Sequence, residues 1–174
     1  FKNLKKNSIV GTSSPRREFQ IRLKRPDLII KLIRGNIDTR ISMLRNKNYD
    51  AIILAKAGIS SLNLENLISE EFHCREIVPS AGQGIIALQA REKDYNILEI
   101  LEKINHPKTE IMGKCEREVL KILGGDCNTA IGVNSKIENQ NISIIAELFS
   151  VKGNNRYFCE ETGEINMYLE IAKK

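Results

Sequence analysis

Ser8-Ile9-Val10-Gly11-Thr12-Ser13-Ser14-Pro15-Arg16-Arg17 is the stretch on which the fold turns. Ser8 to Thr12 reads as a short strand that runs out into a loop. Ser14 is a good helix N-cap, and Pro15 suits the first helical position, where its missing N–H costs nothing. The helix is expected to continue to about Lys24. It stops at Arg25-Pro26, because a residue before proline is pushed out of the helical region. Leu28 to Ile33 is apolar except for Lys31 and is expected as a buried strand. Arg34-Gly35-Asn36 makes the next turn, with Asn36 as cap of a second helix that turns Ile37, Ile41 and Leu44 to the core at helical spacing. Tyr49 to Ala55 is the third expected strand, leaving through Ala55-Lys56-Ala57-Gly58. The order β-α-β-α-β predicts a parallel sheet with right-handed crossovers.

In such sheets ligands bind beyond the carboxyl ends of the strands. The three strand exits therefore share one rim and gather residues that are distant in sequence. The first supplies two serine hydroxyls, the free N–H groups of a helix start, and Arg16 and Arg17. The second supplies Arg34 and Arg40. A helix N-terminus attracts anions, and guanidinium pairs with carboxylate or phosphate through two parallel hydrogen bonds. Because the arginines occupy different exits, the expected ligand carries several separated anionic groups. The charge distribution agrees. Residues 1–50 hold 13 Lys and Arg against 4 Asp and Glu, whereas the rest of the chain holds 14 against 18. Nucleic acid would suit the charge. The chain has no Trp and 5% aromatic residues, so it lacks the stacking platforms a single strand needs.

Further along, residues 60–76 read as a partly helical stretch. Val78-Pro79-Ser80-Ala81-Gly82-Gln83-Gly84 is rich in helix breakers and reads as a hinge. Ile85 to Gln89 is strand-like. Glu92 to Asn105 is an expected helix with Ile97, Leu101 and Ile104 inward, and His106-Pro107 breaks it. The next helix runs to Leu123 with Ile111, Cys115 and Val119 on its buried stripe. Strands are expected at 129–133, 141–150 and 156–160, with a hairpin turn at Lys152-Gly153-Asn154-Asn155. Residues 164–174 read as helical. The expected fold is thus an α/β domain followed by a small α+β domain with an antiparallel sheet.

Four cysteines form no CxxC, and His73 and His106 sit at no metal-ligand spacing, so neither zinc nor a disulfide framework is expected. No run of 18 apolar residues predicts a membrane span. Phe1-Lys2-Asn3-Leu4 reads as the middle of a connection, with residues expected upstream. Cys115 and Cys159 read as structural. Cys127 differs: it follows Leu123-Gly124-Gly125-Asp126, a helix end opened by two glycines, and reads as a thiol that something must reach.

The segments GTSSPRR (11–17), RPDLIIKLIRGNIDTR (25–40), YDAIILAKAGI (49–59), PSAGQG (79–84) and LGGDCNTAIG (123–132), taken in this order, resemble the porphobilinogen deaminase (hydroxymethylbilane synthase) family. The resemblance implies a three-domain fold whose first two domains are like periplasmic binding proteins. This chain would then hold a lobe of that kind over residues 1–78. A hinge and a strand and helix returning toward a first domain would follow over 79–106, and the C-terminal α+β domain over 107–174. It implies a transferase that condenses four porphobilinogens into a linear tetrapyrrole with loss of ammonia, as in heme and porphyrin biosynthesis. The reaction is primed by a dipyrromethane cofactor held through a thioether, a role that the match carries onto Cys127. Ser13, Ser14, Arg16, Arg17, Arg34 and Arg40 would hold cofactor and substrate carboxylates. Thr12, Gly35, Asn36, Ala55, Gly58 and Gln83 would line the cleft. The family's catalytic aspartate would lie upstream of Phe1, so the chain alone is expected to be inactive. Two departures stand out: Ser60-Ser61 where many members carry an arginine, and Asp126 directly before the cysteine. The implied partners are porphobilinogen and the growing polypyrrole, with no nucleic acid and no membrane. A cytoplasmic monomer is expected. The alternatives from the residues alone are a non-catalytic α/β anion-binding module and a nucleic-acid binder using the basic first fifty residues.

Overall fold

The computed structural model describes residues 1–125 and 129–174. The first unit contains β1 (Ile9–Gly11), α1 (Pro15–Lys24), β2 (Ile29–Lys31), α2 (Ile37–Arg45), β3 (Ala51–Ile52) and the short α3 (Lys56–Ser60). Its sheet is parallel, in the order β2-β1-β3. Ser14 caps α1, and Asn36 caps α2 by accepting from the Thr39 N–H at 2.9 Å. Val10, Ile21 and Leu28 form its buried core, with Leu4, Ile30, Ala51 and Ile53 packed against them.

Gly11 is required where it stands. A Cβ there would lie 2.9 Å from the Tyr49 ring, and Tyr49 in turn donates to the Leu32 carbonyl at 2.8 Å. Two strands are shorter than the sequence predicts. The second is an edge strand with Ile29 43% exposed rather than buried, because it pairs with β1 alone and its apolar alternation covers one face. The third keeps only Ala51–Ile52 in the ladder, since β1 has just three residues to offer.

A second unit follows. Helix α5 (Pro107–Ile122) leads to an antiparallel meander of β4 (Ile131–Glu138), β5 (Asn141–Phe149) and β6 (Arg156–Glu164), closed by α6 (Tyr168–Ile171). One face of the meander packs Ile131, Val133, Ile142 and Ile144 against Cys115 and Val119 of α5 and Ile171 of α6. Alternation along β5 turns Ile145, Glu147 and Phe149 to the opposite face, and these too are buried. They face the first unit: Phe19 of α1 packs against Phe149 with ring centroids 5.7 Å apart and the planes tilted by 46°. Arg75 makes a two-bonded ion pair with Glu160 of β6. The segment at Val78-Pro79 joins the units, with the Val133 N–H donating to the Pro79 carbonyl at 2.8 Å. No Cβ fits at Gly132, where it would stand 2.9 Å from both the Val78 carbonyl oxygen and the Val78 Cβ.

The intervening stretch departs from expectation. Residues 85–90 form no strand, and Ile86 is 87% exposed, because among the described residues no strand lies beside them to pair with. Helix α4 (Tyr95–Ile104) forms, capped by Asp94, yet its expected core residues Ile97 and Ile104 are exposed and it buries no residue. None of the described helices is long and apolar enough to cross a membrane.

Candidate functional site

The β1 exit is built by its own hydroxyls. Thr12 Oγ1 accepts from the Ser14 N–H at 3.2 Å, and the Thr12 N–H donates to the Lys31 carbonyl at 3.1 Å. Thr12 is therefore buried in its turn rather than lining a cleft, whereas Ser13 is exposed at the rim. Ser14 holds the helix start, with its hydroxyl accepting from the Arg17 N–H at 3.4 Å.

Arg16 and Arg17 diverge. Consecutive helical residues point about 100° apart. Arg17 crosses the rim: it donates from Nη1 to the Ile53 carbonyl at the β3 exit (3.0 Å) and from Nη2 to Gln83 Oε1 (3.4 Å). Burial, and then the positive charge of Arg40, lowers its pKa from the ordinary value. Arg40 is oriented by its own turn, with Nε donating to the Gly35 carbonyl at 2.8 Å. That carbonyl is presented by a glycine at φ +110°, where a side chain would also collide with Thr39. Arg34 is exposed at the β2 exit. Ala55 begins α3 without a side-chain cap, and Gly58 lets Ile37 of α2 pack against that helix.

Arg16 instead turns inward and is 4% exposed, so it is not a rim cation. Its Nη1 donates to the Val78 carbonyl. Burial, then Arg17, lowers its pKa to about 10, against the opposing influence of Glu147, so it stays charged at neutral pH.

The loop at 79–84 is fixed from beneath. Glu116 of α5 is 4% exposed and accepts from the Gly82 N–H (2.7 Å), the Ser135 N–H (2.7 Å) and the Ser135 hydroxyl (2.8 Å). Gly82 sits at φ +71° and turns the chain so that Gln83 reaches Arg17. Gln20 clamps the residue before this loop through both backbone groups of Val78, at 3.0 and 2.6 Å. The sequence reading missed Gln20, Glu116 and Glu147. The available signals were a polar residue four after Arg16 on α1 and a carboxylate beside Cys115 in an apolar stripe.

The rim thus brings Arg17, Arg40 and Gln83 together with the Ser13-Ser14 helix start, and Arg34 stands at the neighbouring exit. Converging cations are chemically suited to a ligand with several carboxylates. Cys127 lies outside the described residues. Thr129 and Ala130 lead into β4. Among the described residues no cluster of His, Cys, Asp or Glu could hold a metal ion. A cavity of about 230 Å³, lined by Val119, Ile144, Tyr157, Cys159 and Ile171, opens on the α5 side of the meander, away from the arginines.

Comparison with known proteins falls on the same residues. Residues 1–99 match the family model described as porphobilinogen deaminase, dipyromethane cofactor binding domain, and residues 111–174 match porphobilinogen deaminase, C-terminal domain. Porphobilinogen deaminase of Clostridium botulinum is 40% identical over 173 residues, which is 99% of this chain and 58% of that protein. That of Coxiella burnetii is 40% identical over 147 residues, 84% of this chain and 48% of that protein. A probable porphobilinogen deaminase of Methanopyrus kandleri is 37% identical over 153 residues, 87% of this chain and 51% of that protein. The chain spans about half the length of the curated relatives it matches. With both family models matched in order along the chain, and with a strand-end arginine cluster in the first of them, this chain belongs to the porphobilinogen deaminase family.

Proposed function

We propose that the protein is a hydroxymethylbilane synthase and that this chain supplies the polycarboxylate-binding cleft and the cofactor anchor. The observation that carries the reading is the convergence of Arg17 and Arg40 at adjacent strand ends, close enough for Arg40 to depress the pKa of Arg17. Like charges held together are costly without an anionic ligand between them. Each pyrrole of the cofactor and of the product carries two carboxylates, so the donor set fits a dipyrromethane and the chain grown on it. In this reading Arg17, Arg34, Arg40, Ser13 and Ser14 bind and orient those carboxylates. Gln83 holds Arg17 in place, and Asn36 and Gly35 shape the turn that aims Arg40. Arg16 belongs to the site as support for the helix start. Ala55 and Gly58 bring the third exit against α2.

Cys127 is proposed as the anchor, through a thioether whose sulfur is the nucleophile. The bound dipyrromethane supplies the terminal pyrrole carbon to which porphobilinogen is joined. The residues of this chain contribute positioning, which keeps successive acceptors in one place. The domain partition 1–78, 79–106 and 107–174 belongs to the same reading, as does the likeness of the first part to a periplasmic-binding-protein lobe. So do the cytoplasmic location and the monomeric state. The exposed apolar residues of α4 and 85–90, with Ile86, Tyr95 and Ile104 outermost, fit a segment that packs on residues upstream of Phe1. The chemistry that handles cationic pyrroles is assigned to that upstream part.

The test is the intact mass of the full-length protein. A dipyrromethane adduct is expected in the native protein and absent in Cys127→Ser. Arg17→Leu is expected to lose porphobilinogen consumption while remaining folded. An active protein whose Cys127 carries no adduct would overturn the anchor, and an Arg17→Leu protein with native kinetics would overturn the cleft.

A further inference from the structure

Glu147 is a buried carboxylate that the proposed function leaves unused. It is 3% exposed, on the face of β5 that packs toward α1. Its Oε1 accepts from Arg156 Nε of β6 at 2.6 Å, and Arg156 is itself held over the Phe158 ring. Its Oε2 is buried with no hydrogen-bond partner among the described residues. Leaving a carboxylate oxygen dry and unpaired is costly, and such groups call for an explanation.

The register shows what it faces. Glu147 is the cross-strand partner of Gly132, and Gly132 lies against the Val78 carbonyl, the group to which Arg16 donates. Opposite residues on one face of a sheet stand about 5 Å apart, so Glu147 rises from the sheet next to the place where Arg16 meets the Val78 carbonyl. The hydrogen bond to Val78 does not by itself explain why Arg16 is buried. Gln20 already donates to that carbonyl at 3.0 Å, so it would remain satisfied without the arginine. Among the described residues, Glu147 is the carboxylate whose field favours the charged form of Arg16 against burial and the neighbouring Arg17.

We propose that Glu147 is a positioning residue of the anion cleft: braced by Arg156, its carboxylate fixes buried Arg16 and so locks the start of α1, where Ser14 and Arg17 reach the rim. The proposal rests on the reading of that rim as a polycarboxylate cleft. It also gives the meander a role in the cleft, because both Glu147 and its brace come from the second unit.

The experiment compares full-length wild type with Glu147→Gln, Glu147→Asp, Arg16→Gln and the double Glu147→Gln/Arg16→Gln. Two readouts are used: amide exchange over Ser14–Glu18 and the fraction of chains carrying the dipyrromethane adduct by intact mass. Glu147→Gln is expected to speed exchange over Ser14–Glu18 by about tenfold, to lower the adduct fraction, and to add little on top of Arg16→Gln. Glu147→Asp, which keeps the charge, is expected to restore part of both and serves as the deciding variant if the Gln protein does not fold. Native protection and native loading in Glu147→Gln would overturn the proposal and leave the cleft reading standing, as would effects of the two substitutions that simply multiply. A wild type without adduct would overturn the anchor reading, and exchange over Ser14–Glu18 would then decide the role of Glu147 alone.

Discussion

Replacing Glu116 tests whether the loop that carries Gln83 is held from below. The carboxylate accepts three hydrogen bonds, all at 2.7–2.8 Å, from the Gly82 and Ser135 N–H groups and the Ser135 hydroxyl. Glutamine keeps one acceptor oxygen. If that oxygen stays with Ser135, the new amide NH₂ faces the Gly82 N–H, donor against donor. One bond to a charged group is lost and one buried donor is orphaned, a cost of about 2–3 kcal/mol. Alanine orphans both N–H donors, leaves the Ser135 hydroxyl only the Met112 carbonyl at 3.4 Å, and opens a hole. The individual terms do not add in full, so about 4 kcal/mol is expected. For a chain of 174 residues these correspond to falls in Tm of about 7 °C and about 11 °C. The loss should also have a location. Exchange of the Gly82 and Gln83 amides should accelerate in Glu116→Gln more than exchange in β1 or α1. Urea denaturation followed by circular dichroism, together with amide exchange, measures both. A Glu116→Gln protein within about 0.5 kcal/mol of wild type, with native protection at Gly82, would refute the reasoning.

Cys115 is fully buried, and burial followed by the neighbouring Glu116 carboxylate raises its thiol pKa from an ordinary value of 9.0 to about 11. The folded state then holds this proton between about pH 9 and pH 11 while the unfolded chain releases it, so stability falls as pH rises through that window. Cys115→Ala should flatten that alkaline slope in urea titrations, and in wild type Cys115 should alkylate only on unfolding, whereas exposed Cys159 reacts in the native protein. Gly132→Ala forces a methyl group to within 2.9 Å of the Val78 carbonyl and should destabilise by about 1–3 kcal/mol, with the Phe19–Phe149 contact loosening in nuclear magnetic resonance spectra. Ser14→Ala removes the cap of α1 and should lower stability by about 1 kcal/mol in denaturant melts, while Ser14→Gly should lose less.

The local signals were the legible ones. Ser14-Pro15 and Asn36 opened helices where the sequence placed them, because a cap is satisfied by atoms within three residues. The parallel order around β1 followed from the alternation of elements, and the apolar stripe of α5 followed from its period. Leu28–Ile33 and α4 misled for one common reason. Apolar content says that a surface prefers to be covered, and it does not say that a cover is at hand. Ile29 lies on an edge, and Ile97 and Ile104 stay exposed, 43% and 61%.

By itself the sequence determined most of the helices and the order of the paired strands, the strand ends where cations gather, the family motifs and Cys127 as the residue to test. Only the tertiary structure decided which of two adjacent arginines faces that rim. Arg16 and Arg17 are equivalent in charge and context along the chain. They separate because the β4-β5-β6 meander packs against one side of α1, burying Arg16 beside Val78 and within the field of Glu147, while the other side leaves Arg17 reaching Ile53 and Gln83. The partners that bury Arg16 lie 62 and 131 positions away along the chain, one in the joining segment and one in a sheet whose register no local pattern encodes.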